Sequence, residues 1–380
     1  MDQANWSFPT DIRFGCGRVV EIRRCCDELN IHKPLVVTDK TLVSSRLFSR
    51  FMDKLFGAGI NFDVFSDVDS NPSENNLIDG LKYLQKVNSD GIIAFGGGSA
   101  IDLAKLLSFM IGQNRPVWDF EDREDWWKRA SEQNILPVIA LPTTAGTGSE
   151  VGRASVLTDP KSLTKKIIFH PSILPNIVIL DPELTVSMPA EITAGTGMDA
   201  FAHNLEAYCS ENLHPMSHGI ALEGMKMAFM TLPNCYMCPE DLNSRGQMLI
   251  CATMGAVAFQ KGLGAIHALS HPLGAKYNSH HGTTNALLIN PVLNLNKSAI
   301  EEKILAACRY LKFEASFETF LKKIDELNSL VNIPKSLYSI GFKSDDTEEI
   351  IQNALTDPSG QSNPVPLTKN KLIQILNDAV

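Results

Sequence analysis

Five residues with the chemistry of metal ligands or proton carriers form two helical pairs and one single position. Asp199 and His203 are four residues apart, and His267 and His271 repeat that spacing in a second Ala/Leu-rich segment. Residues four apart lie on one face of an α-helix. With His281 they offer a carboxylate and several imidazoles, which suit a borderline divalent ion such as Fe(II) or Zn(II). Scattered core or capping histidines are the alternative, although four of the chain's nine histidines follow this pattern.

A glycine-rich turn between an apolar strand and an amphipathic helix is the second pattern. Residues 91–102 read Gly-Ile-Ile-Ala-Phe-Gly-Gly-Gly-Ser-Ala-Ile-Asp. Missing Cβ atoms let a pyrophosphate approach the backbone, and the helix N-terminus supplies free N–H groups and a positive dipole end. By itself the turn is a weak indication, because many strand-to-helix turns are glycine-rich for packing. It is neither the G-x-G-x-x-G fingerprint nor a P-loop.

Taken together, the two patterns resemble the iron-containing alcohol dehydrogenase family, in the branch of lactaldehyde reductase, 1,3-propanediol dehydrogenase and butanol dehydrogenase. The resemblance is carried by residues 96–102, 141–151, 194–203 and 264–274. It implies an oxidoreductase that transfers hydride between a small primary alcohol or aldehyde and NAD(H). It also implies Fe(II) as the metal, with Zn(II) as the alternative.

The same resemblance assigns roles to the clustered residues. It implies that Asp199, His203, His267 and His281 are the metal ligands. It implies that His271 is a catalytic residue outside the ligand set, near the nicotinamide and the substrate, where it could relay a proton. His280 directly precedes His281 and is an alternative ligand, but the register of the resemblance favours His281.

Asp39 ends the first predicted strand, where a carboxylate can bind the adenine ribose and repel a 2′-phosphate. A turn or N-cap role explains Asp39 equally well, and it is the resemblance that favours the ribose and therefore NAD over NADP. On composition alone the Gly/Thr turn after Leu141 is a plain loop. The resemblance implies further cofactor contacts there, in the glycine turn, at a position near the phosphates and at one lysine of the 165–166 pair. These contacts are Asn71, Gly97, Gly98, Ser99, Asp102, Thr143, Thr144, Thr147 and Lys165.

Composition places the chain among ordinary globular proteins. Its 380 residues, 44% hydrophobic and 20% charged, suffice for two domains with separate cores. The net charge of −9 argues against nucleic acid or an anionic membrane as partner. We see no signal-peptide pattern and no apolar run long enough to span a membrane. Eight cysteines are too sparse for a disulfide scaffold. We expect a cytoplasmic homodimer or higher homo-oligomer with a small-molecule substrate.

The order of predicted elements defines the fold class. Short Val/Ile-rich strands alternate with helices in the first half, which predicts a parallel, doubly wound sheet with a hairpin at 153–169. After Asp181-Pro182, long Ala/Leu/Met-rich segments follow a 3.6-residue period. The sequence therefore predicts an α/β dinucleotide-binding domain at 1–183 and an all-helical metal-binding domain at 184–380. The resemblance implies a dehydroquinate synthase-like architecture.

Two local features have competing interpretations. Lys261, six residues before His267, could favour an anionic or polar substrate, or it is solvated or binds a helix end. Cys235-Tyr-Met-Cys238 has the spacing of a redox or zinc motif, but it follows Pro233 and precedes Pro239, which predicts an inter-helix loop.

Three other functions would account for part of these patterns. A glycerol dehydrogenase-like zinc polyol dehydrogenase is a near alternative, but the ligand pattern fits the iron branch better. A dehydroquinate synthase-type lyase shares the architecture, NAD and a metal, but it needs several Lys/Arg residues near the metal to bind a substrate phosphate. The segments flanking the ligands are instead rich in Ala, Leu, Gly and Met. A nucleotide-binding or scaffold protein whose metal site has lost its function would not need all four ligands and His271.

Overall fold

The structure is a computed structural model that describes residue 8 and residues 10–161 and 164–380. These residues fall into two compact units, one of residues 8–144 with 149–187 and the other of residues 145–148 with 188–380. The sequence-based boundary between residues 183 and 184 stays a prediction. Each unit is described by itself.

The first unit is built on a six-stranded parallel sheet. Its strands are β1 (Asp11–Phe14), β2 (Pro34–Val37), β3 (Asp63–Phe65), β4 (Gly91–Gly96), β5 (Val138–Pro142) and β8 (Ile177–Leu180). Their order across the sheet is β1-β8-β5-β4-β2-β3, and every pairing is parallel. All residues of β2, β4, β5 and β8 are buried, because a parallel sheet with helices on both faces has no solvated side.

Four helices lie between these strands in the chain: α1 (Ile22–Glu28), α2 (Arg46–Gly57), α3 (Glu74–Val87) and α4 (Gly98–Met110). The helix α2 buries Phe48, Phe51 and Leu55 against the sheet, and the Phe51 ring stacks on Phe95 of β4 with centroids 4.2 Å apart. A separate antiparallel hairpin consists of β6 (Ala154–Asp159) and β7 (Thr164–Phe169). These contacts explain how apolar periodicity fixes α2 on one face of the sheet.

The second unit is helical over its described residues from 188 onward. Its helices are α5 (Ala190–Cys209), α6 (Pro215–Met237), α7 (Leu242–Ala258), α8 (Ala265–Tyr277), α9 (His281–Leu311), α10 (Phe317–Leu330), α11 (Thr347–Thr356) and α12 (Lys369–Asp378). From Thr193 to Cys209 every residue of α5 is buried, so α5 is the central helix of this unit. A helix buried all round carries its polar side chains into the interior, where they must find partners.

The predicted fold class is confirmed, as are the parallel sheet, the hairpin and the helices that contain the Asp199/His203 and His267/His271 pairs. Sequence reasoning missed the edge strand β1. The inter-helix loop predicted at Cys235 is wrong, because α6 continues through Pro233 to Met237. Leu232 and Cys235 are buried on that helix, and their packing outweighs the backbone hydrogen bond that proline cannot make. Burial also raises the pKa of the Cys235 thiol to about 12, which makes it inert.

Among the described residues, no single helix is long and apolar enough to cross a membrane. The segments Leu242–Lys261 and Ala265–Tyr277 meet that length and composition criterion only as a pair, which is bent by 111°.

Candidate metal centre and cofactor site

Three helices of the second unit bring the predicted ligands together. Asp199 and His203 lie on α5, His267 lies on α8, and His281 is the first residue of α9. Close backbone contact between α5 and α9 depends on glycine, because a Cβ at Gly282 would lie 1.9 Å from the carbonyl oxygen of Gly195. This contact places the start of α9 beside the middle of α5.

The ligand atoms converge on one oxygen of Asp199. Its Oδ1 lies 3.9 Å from Nε2 of His203, 3.9 Å from Nε2 of His267 and 3.5 Å from Nε2 of His281. Asp199, His203 and His267 are at most 5% exposed, and their donor atoms lie within 4.8 Å of one another. His281 is the most accessible member, with 26% of its side chain exposed.

This donor set fits a divalent ion. In the described part of the chain the ion pairs of Asp199 run to histidines alone, so its buried carboxylate has no lysine or arginine partner. A buried carboxylate is costly unless it is paired or coordinates a cation. Ligands at about 2.1 Å from a tetrahedral ion are separated by about 3.4 Å, close to the spacings found here. Burial lowers the pKa of His203 to about 4, against the opposing charge of Asp199, so this imidazole is in the neutral, ligating form at pH 7.

Glu206 orients one of the imidazoles and was not predicted. Its Oε2 lies 2.5 Å from Nδ1 of His267, and its Oε1 accepts a hydrogen bond from the backbone N–H of Ile266 at 2.8 Å. A carboxylate on one ring nitrogen directs the other nitrogen toward a metal. Burial by itself lowers the pKa of His267, but Glu206 and Asp199 raise it above its ordinary value. The sequence contained an indication of this role, because Glu206 follows His203 by three residues and His203 follows Asp199 by four, which places all three on one face of α5.

His271 is held by a carboxylate from a distant part of the chain. Its Nδ1 lies 2.8 Å from Oδ2 of Asp357, while Oδ1 of Asp357 accepts from the backbone N–H of Ser359. Burial by itself raises the pKa of Asp357, but His271 and the Ser359 hydrogen bonds lower it. No sequence pattern linked Asp357 to His271, because 86 residues separate them.

The neighbouring residue His280 has a different role. It is the N-cap of α9, and its Nδ1 accepts from the backbone N–H of Thr283 at 3.4 Å. A Cβ at Gly195 would lie 2.4 Å from the His280 ring, so this ring packs against the α5 backbone. His280 therefore has a capping and packing role, and the assignment of His281 as the ligand stays a prediction.

Lys261 lies inside the protein and binds a helix end. It is 5% exposed, and its Nζ donates to the carbonyl oxygens of Ala207, Tyr208 and Ser210 at 2.7–3.1 Å. Burial, with a smaller contribution from Lys303, lowers the pKa of Lys261 to about 8. The suggestion that Lys261 favours an anionic substrate is wrong, because its ammonium group is occupied by the C-terminal carbonyls of α5, as expected for a cation at that end of a helix.

In the first unit, six of the ten predicted cofactor residues lie at the carboxyl ends of β2, β4 and β5. From β2 the chain passes outward to β3 and then returns to the other side of β2 as β4, so the strand order reverses between β2 and β4. Ligands of open α/β sheets bind at such a point. Asp39 follows β2, the turn at 97–99 follows β4, and Thr143 and Thr144 follow β5.

The glycine turn is shaped by close packing. A Cβ at Gly96 would lie 2.7 Å from Cβ of Ala100, and one at Gly97 would lie 3.3 Å from the Thr144 side chain. Gly97 caps α4 and has no side chain to occupy the N–H groups of the first turn, and Gly98 and Ser99 are partly exposed. This turn has the features of a phosphate-binding helix N-terminus.

Both interpretations of Asp39 are compatible with its contacts. Its Oδ1 accepts from the backbone N–H groups of Thr41 and Leu42, which is the capping role. Its Oδ2 faces the glycine turn, 3.8 Å from where a Cβ of Gly96 would lie. One oxygen therefore fixes the turn, and the other is directed to the strand ends.

Asp102 is engaged by protein groups. Ser149 Oγ donates to its Oδ1 at 2.5 Å, the Val156 N–H donates to its Oδ2 at 3.1 Å, and Nζ of the fully buried Lys105 lies 3.3 Å from Oδ1. Asp102 thus ties the hairpin and the Ser149 turn to α4, and a contact of Asp102 with the cofactor stays a prediction.

The remaining predicted cofactor residues occupy three places. Ser99 Oγ donates to the carbonyl oxygen of Ser70, directly beside Asn71. Lys165 lies in β7, where its neighbour Lys166 is paired with Asp159 and stacked over Trp118. Thr147 belongs to residues 145–148, which group with the helical unit.

Comparison with known proteins agrees with the two patterns. A family profile described as iron-containing alcohol dehydrogenase matches residues 9–182, and one described as the C-terminal part of the Fe-containing alcohol dehydrogenase family matches residues 193–380. The chain is 32% identical to 4-hydroxybutyrate dehydrogenase of Cupriavidus necator, over 93% of this chain and 94% of that protein. It is 30% identical to NAD-dependent methanol dehydrogenase of Bacillus methanolicus, over 99% of this chain and 100% of that protein.

A solved 1,3-propanediol oxidoreductase has a similar structure, with a TM-score of 0.94 at 29% identity over 100% of both chains. Profile matches cover both halves of the sequence, and relatives at 30% identity or more extend over almost its full length. The chain belongs to the iron-containing alcohol dehydrogenase family.

Proposed function

We propose that this protein is an NAD(H)-linked alcohol dehydrogenase and aldehyde reductase whose catalytic metal is held by Asp199, His203, His267 and His281. The observation that carries the proposal is the convergence of three imidazole nitrogens on one buried carboxylate oxygen. Iron is the metal of the family, and Zn(II) suits the same donors. The substrate class is a small primary alcohol or aldehyde.

The protein residues around this centre orient the side chains that would bind the metal. A divalent ion supplies Lewis acidity that polarises an alcohol or aldehyde oxygen. Glu206 fixes the tautomer of His267, so that Nε2 faces the other donors. His281 is the member with solvent access, which leaves one side of the centre open to a small substrate.

His271 is suited to move a proton. Because Asp357 is bonded to Nδ1, the proton exchanged with substrate is the one at Nε2. The His271 ring lies parallel to that of His281, with centroids 5.5 Å apart, so it is close to the centre without being one of its four donors.

The proposed cofactor site supplies the second reactant. The α4 N-terminus at Gly97 to Ser99 would hold the pyrophosphate, and Thr143 and Thr144 would line the adjacent strand end. Asp39 Oδ2 would accept hydrogen bonds from the ribose diol and repel a 2′-phosphate, which favours NAD. The Bacillus methanolicus relative is named as NAD-dependent, which supports this preference.

The test is a screen of aldehydes for NADH consumption after anaerobic Fe(II) reconstitution, with metal content measured on the same samples. The wild-type protein should bind one ion per chain and oxidise NADH with at least one small aldehyde. His267→Ala should lose both properties. His218→Ala, which removes a partly buried imidazole that stacks on Tyr208, is the matched control and should retain both. Full metal content in His267→Ala would refute the assignment.

The alternative functions are not favoured. The family assignment supports dehydrogenation. A phosphate-binding lyase would need cationic side chains near the metal, and Lys261, one of the two lysines in the sequence segments around His267 and His271, is instead bound to the carbonyl oxygens of Ala207, Tyr208 and Ser210. Assay of NAD-dependent cyclisation of a phosphorylated sugar acid beside alcohol oxidation distinguishes the two activities.

We infer a cytoplasmic location, supported by eight cysteines that are all free thiols. We also infer a homodimer or higher homo-oligomer, which light scattering on the purified protein tests.

A further inference from the structure

Three helices each present a pair of polar residues with four-residue spacing to the metal centre. The pairs are Asp199 with His203 on α5, His267 with His271 on α8, and His281 with Asn285 on α9. Asn285 is the one member that neither the ligand set nor the proton relay uses. Its side chain is completely buried, so its amide has to be satisfied by these neighbours.

The contacts of Asn285 run to three of the four proposed ligands. Its Nδ2 donates to Oδ1 of Asp199 at 2.7 Å and lies 3.4 Å from Nε2 of His267 and 3.3 Å from Nε2 of His281. The Asp199 oxygen that receives this hydrogen bond is the same one on which the imidazoles converge.

The orientation of the amide follows from charge. With Nδ2 toward the carboxylate, Oδ1 of Asn285 is left buried without a hydrogen-bond partner among the described residues. The reverse orientation would place the amide oxygen against the carboxylate oxygen, at a distance where two acceptors repel. An unpaired amide oxygen therefore costs less free energy than the contact of two acceptor oxygens, and Asn285 acts as a donor to Asp199.

We propose that Asn285 is a positioning residue, which holds the Asp199 carboxylate so that Oδ1 faces the three imidazoles. This inference rests on the proposed metal site. Residues that orient ligands typically change metal affinity by about 10- to 100-fold when they are replaced. Asn285 acts on the carboxylate ligand, whereas Glu206 acts on His267.

The test measures binding of Zn(II) and Co(II) to the metal-free full-length protein by competition with a chromophoric chelator, together with the visible spectrum of the Co(II) form. Asn285→Leu keeps a similar side-chain volume and removes the donor. It should lower affinity for both ions by about 10- to 100-fold and alter the Co(II) absorption bands. The spectrum reports ligand geometry, which a purely structural role elsewhere in the fold would not change.

Asn290→Leu is the matched control on the same helix. Asn290 also donates to a carboxylate, at 2.7 Å from Oδ1 of Asp325, and its own Oδ1 is also unpaired. This variant should keep wild-type affinity and the wild-type Co(II) spectrum. If Asn285→Leu does not fold, as judged by circular dichroism, Asn285→Ala takes its place in the same measurements.

A double-mutant cycle shows whether Asn285 acts through Asp199. The Asp199→Asn protein keeps three imidazoles and should bind Zn(II) more weakly but measurably, and in this background Asn285→Leu should produce no further loss of affinity. Wild-type affinity and spectrum in Asn285→Leu, or an equal loss in both backgrounds, would overturn the inference while leaving the metal site intact. Full metal binding by Asp199→Asn and His267→Ala would instead refute the proposed function.

Discussion

Glu206→Gln is expected to weaken metal binding without unfolding the protein. The Glu206 carboxylate accepts from two buried groups, with Oε1 bonded to the Ile266 N–H and Oε2 bonded to His267 Nδ1. Glutamine has a similar shape but only one oxygen, so its NH₂ group must face one of these two N–H groups. Either Nδ1 of His267 loses the acceptor that orients the ring, or the Ile266 N–H in the first turn of α8 loses its acceptor.

The magnitude follows from these two hydrogen bonds. A buried donor without an acceptor costs about 1–3 kcal/mol, which bounds the loss in folding free energy. Loss of the carboxylate behind a ligating histidine lowers metal affinity by about 10- to 100-fold, or about 1.4–2.8 kcal/mol. Glu206 raises the pKa of His267, so protons compete with the metal for wild-type His267 below that raised pKa. The difference in affinity between wild type and variant should therefore narrow as pH falls.

The assay is Zn(II) titration of metal-free protein at several pH values, with thermal unfolding of the same samples. Glu191→Gln, which changes an exposed carboxylate in the first turn of α5, is the control and should behave as wild type. Equal Zn(II) affinity of Glu206→Gln and wild type at neutral pH would refute the view that Glu206 orients His267.

Three further outcomes are expected. Asp39→Gly should raise activity with NADPH relative to NADH, because it removes the carboxylate that we propose repels a 2′-phosphate, and an unchanged ratio would argue against the ribose contact. His271→Ala should keep stoichiometric metal while lowering turnover, whereas loss of metal there with retention in His281→Ala would show that the wrong histidine was assigned as ligand. Burial lowers the pKa of Lys261 from 10.5 to about 8, so the unfolded chain binds the additional proton between these values. Stability of the wild type should then rise with pH across that window, by up to about 3 kcal/mol relative to Lys261→Met in denaturant titrations.

Local patterns in the sequence determined a large part of the fold. Alternating Val/Ile-rich strands and helices predicted the parallel sheet, because strands buried on both faces must be apolar throughout. The four-residue spacings placed Asp199 with His203 and His267 with His271 on common helix faces, and both pairs lie on helices as predicted. The C-terminal end of α6 could not be predicted in this way. Pro233 is a local signal for the end of a helix, but the packing of Leu232 and Cys235 keeps the chain helical beyond it.

Only the tertiary structure identified the partners of these residues. Glu206 contacts His267, which is 61 residues away in sequence, and Asp357 contacts His271, which is 86 residues away. Lys261 had two plausible roles in sequence, and its position at the end of α5 decided between them. The physical reason is that side-chain spacing on one helix follows from backbone geometry, whereas contacts between helices depend on how all of them pack. The sequence by itself therefore determined the kinds of donors in this protein, and the packing of α5, α8 and α9 decided which atoms face one another.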